Sequence, residues 1–342
     1  MHPERENQSE QVTSPGDTPN GLTPSGGPTW NSSCPDPLPT AVSVIDVLVM
    51  YTPAVFGSYG STLAGVEGAA ISAIANANNS LKNSNITTVR FSLRGVEPVP
   101  NPESFDYDQP NIGNALFHLA GVTGETPGQY PGWTYASNAG VINRRNAIGA
   151  DVVALARRNQ ASNTCGAAFV HRLYNLVGGW IEPGAEFERK SYLVFDPSCD
   201  VDRLNLAHEL GHLLGMEHDP LNTQMPGFAS PTCPWSYGHR NSHSNPNIGF
   251  RTVMSYPTGV GTGGPICTGK HACPLIDAYS NPDFAWNGAI VPNPTSGAIP
   301  IGVQNSGSAG PAARANDTLA RLAPIVAEFR ARPEVIFANG FQ

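Results

Sequence analysis

Residues 207–219 read AHELGHLLGMEHD, and this stretch constrains the chain more than any other. It holds three of the 9 histidines. On a helix, His208 and His212 stand one turn apart on the same face, so both imidazoles can reach one ion. His218 lies six residues beyond His212, about one and two-thirds turns, and cannot share a straight helical face with it. The chain must leave the helix between them, and Gly215 supplies the backbone freedom for a sharp turn at a helix end. Three imidazoles gathered in this way suit one Zn²⁺ with a fourth position left for water, as a catalytic site requires. A structural zinc takes four protein ligands, commonly cysteines. Here Glu209 adjoins the first ligand instead, placed to take a proton from water rather than to bind the ion. A bare HExxH also arises by accident on ordinary helices. The glycine and third histidine at fixed offsets separate this one from that background.

The rest of the chain is read for a scaffold that can carry such a helix. In VSVIDVLVMYTP, Val42, Val44, Ile45, Val47, Leu48 and Val49 form a run too apolar for a half-exposed strand, which predicts a buried central one. Leu63, Val66, Ala70, Ile74, Ala77 and Leu81 then follow a helical period, with Ser61 or Thr62 as cap. FSLRGVEPV (91–99), DVVALA (151–156), CGAAFV (165–170) and SYLVF (191–195) read as further strands, the third of these short and at an edge. Strands alternating with helices predict an α/β layer with a mainly parallel sheet. Residues 220–311 are dominated by Pro, Gly, Asn, Ser and Thr, with Cys233, Cys267 and Cys273 available as staples. A last helix is expected to start near Asp317, with Leu319, Leu322, Val326 and Phe329 as its stripe and Pro324 kinking or delaying it. Residues 1–40 offer almost nothing to bury and read as a disordered linker or the remnant of a pro-segment. The expected division is therefore 1–40, then a catalytic domain at 41–342. Its upper part, 41–219, carries the zinc helix, and its lower part, 220–342, is loop-rich.

A formal charge of −8 leaves no basic footprint for nucleic acid. No window approaches the roughly eighteen consecutive apolar residues of a membrane span. Six cysteines can form three disulfides, which favours an oxidising compartment. The start, MHPERENQSE, has no apolar signal core, so the expectation is a secreted protein whose export signal has been trimmed. Cys267 and Cys273 enclose the short loop TGKHA and are expected to pair, with Cys165–Cys199 as a second bridge. The acidic segment DPSCDVD (196–202) lacks the spacing of a known calcium loop, so Ca²⁺ is not indicated. His239 and His243, in GHRNSHSNP, read as solvated loop residues, with a second metal or the cleft as alternatives, and His118 and His171 as structural. The sequence carries no signal for oligomeric state.

HELGHLLGMEHD resembles the elongated zinc signature of the metzincin metalloproteases. RTVMSYP (251–257) places Met254 where that clan carries a methionine in a tight turn under the zinc. Within the clan, IDVLVMYTPA (45–54), ADVVAL (150–155), CGAAFV (165–170), DAYSNPDF (277–284) and RANDTLARLAPIVAEFR (314–330) are most similar to a secreted group. That group contains the peptidyl-Asp metallopeptidases and is related to the reprolysins. Asp219, directly after the third histidine, agrees with the reprolysin-like side. The resemblance runs from about residue 41 to the end.

It implies a twisted, mostly parallel sheet of about five strands over the zinc helix, with a loop-rich lower part ending in a helix. It also implies one catalytic Zn²⁺ on His208, His212 and His218, Glu209 as general base, and zinc-dependent endopeptidase activity. A peptide or protein substrate would pair with the edge strand at 165–170 by strand addition. Tyr256 is either an oxyanion donor or a packed aromatic at the cleft floor. Arg251 and Lys270 are cations that could meet an acidic substrate side chain. Cys34 either bonds Cys233 or inhibits the zinc as a pro-segment thiolate, as in the matrixin branch, although the arginine and glycine flanking that motif are missing. An adhesion or binding module that keeps the fold without turnover is the alternative, and Glu209 counts against it. An amidase or deacetylase would share the chemistry but not the methionine turn and C-terminal pattern.

Overall fold

β1 (Ser43–Tyr51) is buried along its whole length from Ile45 onward, which is why its apolar run does not alternate. The computed structural model describes residues 38–101, 104–121, 139–158, 165–171, 188–220, 222, 232–243, 245, 247–256, 273–293, 295–304 and 312–330. In it, β1 lies between β2 (Val89–Pro98) and β3 (Val152–Ala156), parallel to both. β5 (Tyr192–Phe195) runs parallel to β3, and β4 (Gly166–Ala168) closes the edge antiparallel to β5. The order is β2-β1-β3-β5-β4, a mostly parallel five-stranded sheet in an α/β fold. β2 starts at Val89, two residues ahead of the apolar FSL that marked it in the sequence.

Helices α1 (Pro53–Ser58) and α2 (Leu63–Asn83) follow β1. Thr52 and Thr62 are their caps, each hydroxyl accepting from a first-turn backbone N–H. α3 (Ile112–Leu119) and α4 (Ala139–Ile148) precede β3, and α5 (Pro197–Arg203) and α6 (Asn205–Leu213) follow β5. α6 is the histidine helix. Every residue in it is buried, held between α2, β4 and β5. α7 (Ala315–Val326) packs Leu319, Leu322 and Val326 into the same core. It begins two residues before Asp317, so Pro324 does not delay it; the proline falls in the last turn, two residues before the helix ends.

The Pro- and Gly-rich stretch has structure that its composition conceals. β8 (Phe284–Trp286), β9 (Ile290–Pro292) and β10 (Ile299–Pro300) form a three-stranded antiparallel sheet, and β6 (Arg240–Asn241) pairs with β7 (Phe250–Arg251). Phe250, Ile276, Ala278 and Ile301 make a second small core beneath them. The Cys165–Cys199 bridge is formed, with Cα atoms 6.0 Å apart. Cys233 and Cys273 are each in a disulfide as well, with partners outside the described residues. Cys34, Cys267 and Lys270 lie outside the described residues, and with them the expected Cys267–Cys273 link, the role of Cys34 and most of the 1–40 segment.

Candidate active site

The site begins at the junction of α5 and α6. Asp196 caps α5, its carboxylate accepting from the backbone N–H of Ser198 at 2.9 Å and from the Ser198 hydroxyl at 2.7 Å. Asp200 accepts from the backbone N–H of Leu206 at 2.8 Å and from Asn76 Nδ2 at 3.1 Å. The acidic residues of DPSCDVD that are described therefore serve as helix caps and a tether to α2. Between the two helices Leu204 takes a left-handed φ of +53°, at a cost of about 1–2 kcal/mol for a residue with a Cβ. That turn sets the face of α6 on which the histidines converge.

His208, His212 and His218 meet there. Their Nε2 atoms stand 3.2 Å (His208 to His212), 3.2 Å (His208 to His218) and 3.1 Å (His212 to His218) apart. Gly215 makes the third approach possible, with φ at +81°. A Cβ at Gly215 would also lie 2.7 Å from Leu322 and 2.9 Å from Thr232. The outer nitrogens are tied to backbone: His208 Nδ1 donates to Val253 O at 2.8 Å and His212 Nδ1 to Met216 O at 2.7 Å. With Nδ1 protonated, each neutral ring presents a bare lone pair at Nε2. Lone pairs this close repel unless a cation stands among them. Tetrahedral zinc with Zn–N of about 2.0–2.1 Å would hold neighbouring nitrogens about 3.3 Å apart, so the triad fits that ion. Among the described residues no other group of His, Cys, Asp and Glu is disposed to hold a metal.

Glu209 is fully buried beside the triad. Its Oε1 accepts from Asn205 Nδ2 at 3.2 Å, one helical turn earlier. The carboxylate rests on the backbone of Gly166 in β4, where a Cβ would fall 2.3 Å from Oε1. Met254 lies under the helix, its sulfur 2.5 Å from where a Cβ on Gly211 would stand. Gly211→Ala is therefore expected to destabilise the fold by about 1–3 kcal/mol through overpacking, with part of the loss recovered by adding Met254→Ala. Thermal denaturation checks this, and a Gly211→Ala protein as stable as the wild type would remove close packing as the reason for the glycine. From below, buried Tyr279 donates to Ala207 O at 2.6 Å, and desolvation raises its pKa.

Tyr256 follows Met254. Its ring centroid is 4.5 Å from that of His218 and 5.6 Å from that of His208. The hydroxyl is buried and, among the described residues, has no hydrogen-bond partner. The backbone of Tyr256 is clamped on both sides: its N–H donates to Asp219 Oδ2 at 3.2 Å, and its carbonyl accepts from Arg240 Nη1 at 2.9 Å. Arg240 also pairs with Asp219 at 3.4 Å, so the residue after the third histidine fixes the methionine turn. Arg251 donates to Ser255 O at 3.1 Å and braces the same turn.

The other described histidines are not brought to the triad. His239 is half-buried with its ring 5.6 Å from that of Phe250, and desolvation lowers its pKa to about 4. His243 Nδ1 accepts from Asn245 N at 3.0 Å in its own loop. His118 stacks on Phe105 at 3.9 Å and bonds the Tyr107 hydroxyl at 2.9 Å. His171 is fully buried; desolvation, followed by the nearby Lys190 charge, lowers its pKa to about 3. Its backbone N–H donates to His212 O at 3.2 Å and steadies the end of α6. Asn205, Gly166, Arg240 and Tyr279 are site residues that the sequence reading missed. Only Asn205 carried a local signal, its four-residue offset from Glu209.

A family model, that of metallo-peptidase family M12, matches residues 41–264, from the start of β1 past the triad and the methionine turn. The chain belongs to this family. No curated protein matches it. A chain in a solved structure described as a chaperone-substrate complex is similar in fold, with a TM-score of 0.52 at 15% identity. The match covers 85% of this M12 chain and 39% of that one, and at such identity it shows the fold alone.

Proposed function

We propose that this M12 protein is a secreted zinc-dependent endopeptidase, with 41–342 as its catalytic domain. The observation that carries the proposal is the convergence of three Nε2 atoms within 3.2 Å of one another, with Glu209 on the same helix beside the first ligand. His208, His212 and His218 would hold the ion. When bound there, the ion would supply Lewis acidity toward a water and toward the scissile carbonyl. Glu209 takes the proton from the attacking water and returns it to the leaving amine. The Tyr256 hydroxyl donates to the carbonyl oxygen as negative charge develops there. The edge of β4 aligns the substrate backbone by strand addition, which sets the scissile bond over Glu209. Closeness to the peptidyl-Asp group is part of the same reading and rests on the sequence segments given above. Secretion rests on the disulfides.

The test is to incubate the purified protein with a denatured proteome, with and without chelator, and to map the new termini by mass spectrometry. Internal cleavages that vanish with chelator and return with zinc are expected. Cleavage indifferent to chelator would remove the metal from the mechanism. No new termini at all would favour the binding-module alternative.

A further inference from the structure

Asn205 opens α6 one turn before Glu209. The N-cap of α6 is Leu204, whose side chain cannot cap the first turn, and Asn205 stands one position inside it without capping either. The N–H of Leu206 goes to Asp200 Oδ1 at 2.8 Å instead, supplied from the preceding helix. With its oxygen not used for capping, Asn205 directs Nδ2 along the helix to Glu209 Oε1 at 3.2 Å. Among the described residues its own Oδ1 has no hydrogen-bond partner, and the residue is only 5% exposed. The third wall is Gly166: a Cβ there would fall 2.3 Å from Glu209 Oε1 and 2.7 Å from Asn205 Nδ2, so amide and carboxylate share one seat against bare strand backbone.

We propose that Asn205 is the positioning residue of Glu209. Its amide holds the carboxylate in the one orientation from which it reaches the attacking water. A glutamate side chain has several rotors, and a neutral donor at four residues' distance restrains them without cancelling the charge as an Arg or Lys would. The inference rests on reading Glu209 as the base, and the test keeps the two apart.

Zinc-loaded Asn205→Asp and Asn205→Ala are to be compared with wild type for zinc content, thermal midpoint, kcat and KM on a peptide substrate, and binding of a peptide hydroxamate. Aspartate copies the shape of asparagine and suits a helix N-terminus, but it replaces the donor with a like charge. A positioning role predicts that Asn205→Asp folds, holds one zinc and loses kcat on the order of 10²-fold, with KM little changed. Asn205→Ala should lose about 10-fold, and hydroxamate binding should weaken in the same order as kcat. In a Glu209→Gln background neither substitution should cost anything more. A purely structural role predicts the reverse order, with Asp tolerated and Ala lowering the thermal midpoint. Asn205→Asp turnover within two-fold of wild type would overturn the proposal, as would an additive loss in the Glu209→Gln background. If Glu209→Gln is itself active, the base assignment fails. If Glu209→Gln is dead while the Asn205 variants are silent, only the positioning role fails.

Discussion

Glu209→Gln is expected to leave a folded protein that keeps its zinc and loses peptide hydrolysis by about 10²–10⁴-fold. The metal should stay, because the three converging ring nitrogens come from His208, His212 and His218 and none from Glu209. The fold should stay as well. Glutamine has the same shape, fits the same space against Gly166 and still offers an oxygen to the Asn205 amide, whose present bond is 3.2 Å. What it lacks is a site that can take and return a proton at neutral pH. Metal analysis beside kcat/KM for a peptide substrate reads both quantities in one preparation. One bound zinc together with near wild-type cleavage would end the mechanism. Loss of zinc with loss of cleavage would mean that the substitution had disturbed the triad, and Glu209→Asp would then separate geometry from charge.

The parts of this site legible in the sequence are those whose signal is local. His208 and His212 are fixed by one helical turn, and Gly215 announced the break that His218 needs; its φ of +81° and its crowding against Leu322 and Thr232 give that glycine two separate reasons. The run in β1 declared its burial because both faces of the central strand are covered. The seat of Glu209 was not legible. Gly166 reaches it from an edge strand whose place in the sheet depends on pairing with β5. The Asp219–Arg240 clamp on Tyr256 likewise joins residues that only the folded loops bring together. β8, β9 and β10 are two or three residues long, too short for a period of two to show above a Pro- and Gly-rich background. α4 buries only Val141 and Arg145, so it has no stripe to find. DPSCDVD is dense in acids but lacks the spacing of a calcium loop, and its sequence gives the acids no other use. In the structure Asp196 and Asp200 are taken up by helix N–H groups, a use that spacing alone does not distinguish.

Tyr256→Phe is expected to move stability and activity in opposite directions. Among the described residues the buried hydroxyl has no hydrogen-bond partner whose loss would cost stability, so removing it should hold or raise the thermal midpoint. The ring should remain in place, because Asp219 and Arg240 hold Tyr256 by its backbone and the ring packs on His218 at 4.5 Å. If the orphan hydroxyl has its partner only in the transition state, as a donor to the developing oxyanion, its loss should lower kcat by roughly 10²–10³-fold and leave KM nearly unchanged. Met254→Leu supplies the contrast. It alters packing under Gly211 without touching a donor, and should cost less than about 1.5 kcal/mol of stability with turnover retained. The two variants should therefore separate cleanly, one stable and slow, the other weaker and active. A Tyr256→Phe enzyme with full turnover would reduce the tyrosine to a packed ring on the cleft floor and leave the oxyanion to the metal and backbone donors.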